Sequence, residues 1–137
     1  MERDGGPLGI VIAAANVNDI TLLATTLDAV VVPRPQPTPD APQHLCLDRG
    51  YANTTGRTIA VDRGYVLHLP RPMDESEPVL HPARRWVVER TLAWLSKCRA
   101  LLIRWDKHAE NYLALLQLAC ALLWFRRCYH LTPSQQF

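Results

Sequence analysis

The chain has 137 residues, 48% of them hydrophobic and 20% charged, which is typical of one globular domain and excludes a disordered or fibrous protein. Its longest apolar run, Leu113 to Phe125, contains Gln117 and is shorter than the roughly 18 residues of a membrane span. No apolar signal segment follows Met1, so we expect a cytoplasmic protein. The four cysteines lack C-x-x-C spacing, which favours reduced core residues over a zinc site or disulfides.

The net charge of +2 hides an asymmetry along the chain. Residues 1–83 carry six Lys/Arg and ten Asp/Glu, whereas residues 84–137 carry nine and three. The densest basic stretch contains Arg84, Arg85, Arg90, Lys97, Arg99, Arg104 and Lys107. Such clustering indicates a phosphate-binding face, and the alternative is a solvated helix face.

The first part of the chain predicts an α/β unit. The continuous apolar run from Leu8 to Ala15 predicts a strand buried on both faces, preceded by a turn at Gly5-Gly6. Asp19 can cap the helix that follows. Five prolines then predict an extended, exposed loop over residues 33–43.

Short elements follow in the middle of the chain. We predict a strand at His44 to Leu47, a weak helix over residues 53–60 and a second strand over residues 65–69. The acidic, proline-bearing stretch over residues 71–82 predicts a surface loop.

Two helices complete the predicted fold. The first runs from about Pro82 to Lys97, with Val88, Leu92 and Leu95 on its inner face. The second runs from about residue 107 to residue 129 and is apolar on almost every side, so we expect the rest of the fold to cover it.

Two carboxylates are candidate metal ligands. Asp48 directly follows a predicted strand, where α/β proteins commonly present ligand groups, although it could instead bond its own turn. Asp62 has the same local sequence and is the second choice. Glu89 lies in an apolar helix and needs a cation or a helical pair with Arg85. Carboxylate oxygens suit Mg²⁺.

Other catalytic motifs are absent from the sequence. The five histidines have no zinc-binding spacing, and there is no Gly-rich phosphate loop or G-x-S-x-G elbow. The sequence therefore lacks the motifs that usually indicate a nucleotide kinase or a common hydrolase.

Several strings of residues are recognisable. The strings Arg85 to Leu95 and Ala109 to Cys120, with Arg104 between them, closely resemble the C-terminal part of DDE-class insertion-sequence transposases. Three earlier segments resemble that family in the same order: Pro7 to Val11, Ala15 to Asp19 and Leu45 to Tyr51. The resemblance covers nearly the whole chain.

The resemblance implies a ribonuclease-H-like catalytic domain in which two aspartates and one glutamate hold Mg²⁺ or Mn²⁺ for DNA cleavage and strand transfer. Asp48 corresponds to the second aspartate of that set and Glu89 to its glutamate. The two side chains should then lie within roughly 8 Å of each other to share a metal, with Asp62 outside the site. The implied partner is DNA, as transposon ends and target.

The sequence departs from the family pattern in two places. Around the glutamate, Arg85 matches the signature, but Pro82 replaces its tyrosine and Ser96 its lysine, with Lys97 one place on. The first aspartate should lie on a strand upstream of Pro7, and Asp4 in the turn is a poor substitute.

We therefore expect the C-terminal portion of a transposase with an incomplete ribonuclease-H-like fold: a short mixed sheet flanked by helices, and a long buried C-terminal helix. The expected function is that of a DNA transposase, truncated and inactive on its own. The alternatives are a non-catalytic DNA-binding protein, or one that associates with itself or with a full-length transposase, and a small metal-dependent nuclease.

Overall fold

The computed structural model describes residues 1–69 and 85–131, with the backbone alone described at Arg85, His130 and Leu131. These residues form a mixed α/β protein, as predicted. Its elements are α1 (Asp19–Asp28), β1 (Gln43–Cys46), α2 (Thr54–Asp62), β2 (Tyr65–His68), α3 (Arg85–Leu95), α4 (Arg99–Leu102) and α5 (Ala109–Leu131), with a single 3₁₀ turn at Arg49–Tyr51. No helix in these described ranges has the length and apolarity that a membrane crossing needs.

The described residues divide into two compact units. The helical unit comprises residues 1–12 and 85–131, and the α/β unit comprises residues 13–69. The predicted loop over residues 71–82 lies outside the described residues.

The α/β unit is built on a parallel strand pair. β1 and β2 are in register from Gln43 opposite Tyr65 to Cys46 opposite His68. Parallel neighbours need a crossover connection, and α2 supplies it, packing on β2 and burying Ala60 completely. α1 packs on α2, with Leu23 as its buried residue.

Asparagine side chains set the helix starts in this unit. The Oδ1 atom of Asn18 accepts a hydrogen bond from the Ile20 N–H at 3.0 Å, so Asn18 caps α1, one residue before the predicted Asp19. Asn53 caps α2 in the same way through the Gly56 N–H at 2.8 Å. After α2, Gly64 takes φ +72°, a left-handed conformation that permits the turn into β2.

The proline-rich segment has no helix or strand over residues 30–42 apart from an isolated bridge between Thr38 and Ala41. The segment nevertheless contacts residues of β1 and β2. Gln43 Nε2 donates to the Pro35 carbonyl at 2.6 Å, and the Arg34 guanidinium lies over the Tyr65 ring at 4.2 Å.

The predicted strand from Leu8 to Ala15 is wrong. These residues form no strand, and β1 and β2 make up the sheet in the described parts of the chain. The first half of the run is half-buried against helices instead: Ile10 packs on the core, and the Trp124 Nε1–H donates to the Pro7 carbonyl at 2.8 Å. The expected burial on both faces is therefore also wrong, since Ala13 to Ala15 are exposed, and a strand would need a neighbouring backbone to pair with.

The core of the helical unit is formed by one face of α3 together with α4 and α5. The buried residues of α3 are Val87, Thr91 and Leu95, spaced by four. The predicted inner positions Val88 and Leu92 are instead 44% and 54% exposed, so that part of the prediction is wrong. The pattern failed because the polar residue Thr91 occupies the centre of the buried face.

The expectation that α5 is covered on all sides is also wrong. Its buried residues are Ala119, Cys120 and Leu123. The opposite side exposes large apolar residues: Leu118, Leu122, Phe125 and Tyr129. Hydrophobicity without periodicity predicted the helix correctly but did not show which side packs.

The cysteines are reduced, as expected, but they are not all core residues. None of the four forms a disulfide. Cys120 is buried and Cys98 half-buried, whereas Cys46 and Cys128 are exposed. Burial raises the pKa of the Cys120 thiol, because the thiolate is disfavoured away from water.

Candidate functional site

Asp48 lies close to where the sequence places it, two residues after the end of β1. It caps the 3₁₀ turn, and its Oδ1 atom accepts a hydrogen bond from the Gly50 N–H at 2.9 Å. The predicted turn role is therefore present. The side chain is also exposed, so its second oxygen remains accessible to a cation at the carboxyl end of the strand.

Tyr51 is within electrostatic range of two carboxylates, Asp48 and Asp19. Burial raises the pKa of the Tyr51 phenol, and the negative charges of Asp19 and Asp48 raise it further. Asp19 was expected only to cap a helix, and no motif in the sequence connects it with Asp48. The carboxyl end of β1 is thus an acidic environment in the α/β unit.

Glu89 lies on α3, but its side chain is exposed rather than at an inner position. A helix turns by about 100° per residue, which places Glu89 roughly opposite the buried residues Val87 and Thr91. An exposed carboxylate stays hydrated, so burial does not force a cation on it. The predicted pair with Arg85 involves a side chain outside the described residues.

The two candidate ligands belong to different units, Asp48 to the α/β unit and Glu89 to the helical unit. Their shared site therefore stays a prediction. Their oxygen atoms suit Mg²⁺ or Mn²⁺, but the described residues bring together no group of three His, Cys, Asp or Glu side chains that could hold an ion. Asp62, the second choice, is exposed at the end of α2.

Two arginines of the predicted basic stretch are held by aromatic rings. The Arg90 guanidinium lies 4.8 Å from the centre of the Trp86 ring. The Arg104 guanidinium lies 5.6 Å from the centre of the Tyr112 ring. Stacking orients a guanidinium while leaving its charge in place.

Three other bases of that stretch lie at the surface of the helical unit. Lys97, Arg99 and Lys107 are exposed near the ends of α3, α4 and α5. Arg84 and the side chain of Arg85 lie outside the described residues. The helical unit therefore presents exposed cations, which is compatible both with phosphate binding and with a solvated face.

Sequence reasoning missed two arginines near the end of α5. Arg126 and Arg127 line a cleft of about 200 Å³ together with Arg90, Thr91, Trp94 and Leu123. They share this cleft with Arg90, which lies 36 and 37 residues earlier in the chain. No local sequence pattern indicates that these three arginines lie close together.

An acidic turn lies beside these arginines. Glu2 accepts hydrogen bonds from the Asp4 and Gly6 N–H groups, each at 2.6 Å, and from Arg127 Nη1 at 3.0 Å. Desolvation raises the pKa of Glu2, but the backbone hydrogen bonds and Arg127 together outweigh it and hold that pKa below its usual value. Glu2 is therefore a carboxylate near neutral pH.

Comparison with known proteins identifies the family. The Transposase DDE domain family matches residues 2–124. The chain is also 36% identical over 125 residues to a Burkholderia cepacia protein named as the transposase of insertion sequence element IS402, a match that covers 89% of this chain and 58% of that protein. The chain thus spans little more than half the length of this relative. No solved structure matches it significantly. With a family match over nine-tenths of its length, the chain belongs to the DDE-domain transposases.

Proposed function

We propose that this chain forms part of a ribonuclease-H-like transposase catalytic domain that binds DNA through its helical unit and contributes Asp48 and Glu89 to a divalent-metal site. The observation that supports it most is the family match over residues 2–124, which includes both carboxylates. The exposed carboxylate of Asp48 at the end of a parallel strand is compatible with that role. When bound, Mg²⁺ or Mn²⁺ would supply Lewis-acid activation for phosphoryl transfer.

Metal binding by the full 137-residue chain tests the site. Manganese is the probe, because the electron paramagnetic resonance signal of the free aqueous ion falls as Mn²⁺ binds and so gives the bound fraction. We expect Asp48→Asn and Glu89→Gln each to weaken Mn²⁺ binding by about tenfold or more, since each removes one anionic ligand. Asp62→Asn is the matched control and should bind as the wild type does. Equal affinity in all four proteins would contradict the shared site.

DNA binding follows from the exposed cations of the helical unit. Neutralising phosphates releases counterions, so the affinity for duplex DNA should fall steeply between 50 and 200 mM salt, with little sequence preference. Fluorescence anisotropy with two unrelated duplexes measures both properties. If binding does not depend on salt, or if no binding occurs at low salt, Lys97, Arg99 and Lys107 are only solvated surface residues.

A non-catalytic DNA-binding function is the second candidate. It rests on the exposed cations of the helical unit, which suffice for phosphate contacts without a metal site. The two candidates make different predictions in the same experiments: the non-catalytic protein binds DNA as above, but Mn²⁺ does not bind at Asp48 and Glu89. Association with itself or with a longer transposase belongs to this second candidate.

A further inference from the structure

The cleft lined by Arg90, Arg126 and Arg127 has the composition of an anion site. Three arginines, one from α3 and two from α5, line this cleft of about 200 Å³. Each guanidinium presents several N–H donors in a planar fork that matches the oxygens of a phosphate group. All of these residues lie in the helical unit.

Oxygen atoms of the chain itself already engage two of the three arginines. The Asp4 carbonyl oxygen accepts hydrogen bonds from Arg90 Nη2 and, at 2.8 Å, from Arg127 Nη2. Arg127 Nη1 also pairs with the Glu2 carboxylate at 3.0 Å. The turn over residues 2–6 thus offers the arginines one carbonyl and one carboxylate oxygen.

The third arginine has no such contact. Arg126 is exposed and makes no hydrogen bond or ion pair with the part of the chain that the structure describes. Rings hold its two neighbours: the Arg90 guanidinium lies over Trp86, and the Arg127 guanidinium lies 5.7 Å from the centre of the Trp124 ring. The cleft therefore combines oriented donors with an excess of positive charge that Glu2 alone does not neutralise.

We propose that this cleft is a subsite for a backbone phosphate of DNA, with the turn over residues 2–6 as its internal competitor. Arg126 makes the first contact, and Arg90 and Arg127 then exchange the oxygens of the turn for phosphate oxygens. The identity of the ligand as DNA rests on the proposed function. The simpler alternative is that Arg90 and Arg127 only anchor the turn and Arg126 is a solvated residue.

Substitution of Arg126 tests the contact. Fluorescence anisotropy with a labelled duplex, titrated at several salt concentrations, should show about a threefold to tenfold loss of affinity in Arg126→Ala. The slope of log affinity against log salt should become shallower by about 1. Arg126→Lys should keep the slope and most of the affinity. Arg57→Ala, at an exposed arginine of α2, is the matched control and should behave as the wild type.

Substitution of Glu2 tests the competition. Glu2→Gln removes a negative charge but keeps an acceptor oxygen for the N–H groups of the turn, so DNA affinity should rise about twofold or more. If the arginines only anchor the turn, affinity will not rise. Inorganic phosphate serves as a competitor to identify the ligand, and displacement of the duplex by submillimolar phosphate would overturn the assignment to DNA.

These outcomes separate the subsite from the proposed function. If the full chain binds no duplex at low salt, DNA binding itself fails. If the chain binds duplex but Arg126→Ala matches Arg57→Ala in affinity and salt slope, the subsite alone is overturned. Because Arg126 is exposed, its variants should fold, and circular dichroism with thermal unfolding checks that they do.

Discussion

Thr91 joins the N-terminal turn to α3. It is the most deeply buried polar side chain described, with 1% exposure. Its hydroxyl lies 2.7 Å from the Gly5 carbonyl oxygen and 3.2 Å from the Val87 carbonyl oxygen, and it donates its one proton to this pair. Gly5 has φ +90°, and a Cβ atom there would lie 2.8 Å from the Thr91 hydroxyl oxygen. The close approach of Thr91 to the turn therefore requires glycine at position 5.

We predict that Thr91→Val destabilises the protein by about 1–3 kcal/mol, because the Gly5 carbonyl oxygen loses its buried donor while the side-chain shape is kept. Thr91→Ser keeps the hydroxyl, and its loss of one methyl group should cost about 1 kcal/mol. Urea unfolding of the three proteins measures both changes. A valine variant as stable as the wild type would show that the hydrogen bond contributes nothing.

The two candidate metal ligands were not equally predictable from sequence. Asp48 follows a short apolar strand and begins the string Asp48-Arg49-Gly50, and this local pattern is enough to locate it. The environment of Glu89 depends on which side of α3 is buried. That choice is made by contacts with residues far away in sequence, such as the bond from Thr91 to Gly5. Local periodicity therefore could not supply it.

At the scale of elements, an ion pair connects the end of α1 with the end of α2. Arg63 donates from Nε and Nη2 to the two carboxylate oxygens of Asp28, both at 2.8 Å. This hydrogen bonding is the largest influence on the pKa of Asp28 and lowers it, with a further contribution from the Arg63 charge. The bidentate geometry fixes the orientation of the two helix ends.

The lowered pKa of Asp28 gives the stability a pH dependence of known sign. The stabilisation of the folded state by the ionised Asp28 carboxylate is fully present above the unfolded carboxyl pKa, about 3.9. It is lost as the pH falls through the lower pKa of the folded state. We predict that Asp28→Asn has a lower urea midpoint than the wild type at pH 7 and that the difference shrinks below about pH 4. Asp40→Asn, in the exposed proline-rich segment, is the control and should show no such pH-dependent difference. A constant gap at all pH values would contradict the ion-pair explanation.

The strand and helix elements also decide which thiols react. Cys46 is exposed on β1, whereas Cys120 is buried on α5 with a raised pKa. Because the thiolate is the nucleophile, we predict that iodoacetamide at pH 8 modifies Cys46 at least about tenfold faster than Cys120. Peptide mass spectrometry over a time course measures the two rates. Equal rates in the native protein would show that α5 is not packed as described, and equal rates in urea are expected.

At the scale of the whole molecule, the sequence predicted the local elements better than their partners. The β1–α2–β2 succession is read from short-range patterns, and all three elements lie close to their predicted positions. The run from Leu8 to Ala15 has an equally clear apolar pattern but no strand to pair with among the described residues. The arginine cleft joins α3 to the end of α5, so neither segment alone could predict it.

The number of available metal ligands bears on catalysis by this chain. Phosphoryl transfer in two-metal sites requires enough anionic ligands to fix both cations and align the reacting oxygens. The resemblance to the family assigns two carboxylates of this chain, Asp48 and Glu89, to such a site. Two carboxylates leave such a pair of cations under-coordinated. DNA binding has no such requirement, because exposed arginines and lysines suffice.

We therefore predict that the 137-residue chain binds duplex DNA but neither nicks nor joins it. In Mg²⁺ or Mn²⁺, nicking of supercoiled plasmid by the wild type should equal that of the Asp48→Asn/Glu89→Gln double variant. Strand joining is measured with labelled oligonucleotides under the same conditions, and a metal-dependent nuclease serves as the positive control for nicking. Metal-dependent nicking by the wild type that disappears in the double variant would show that the described carboxylates suffice for catalysis.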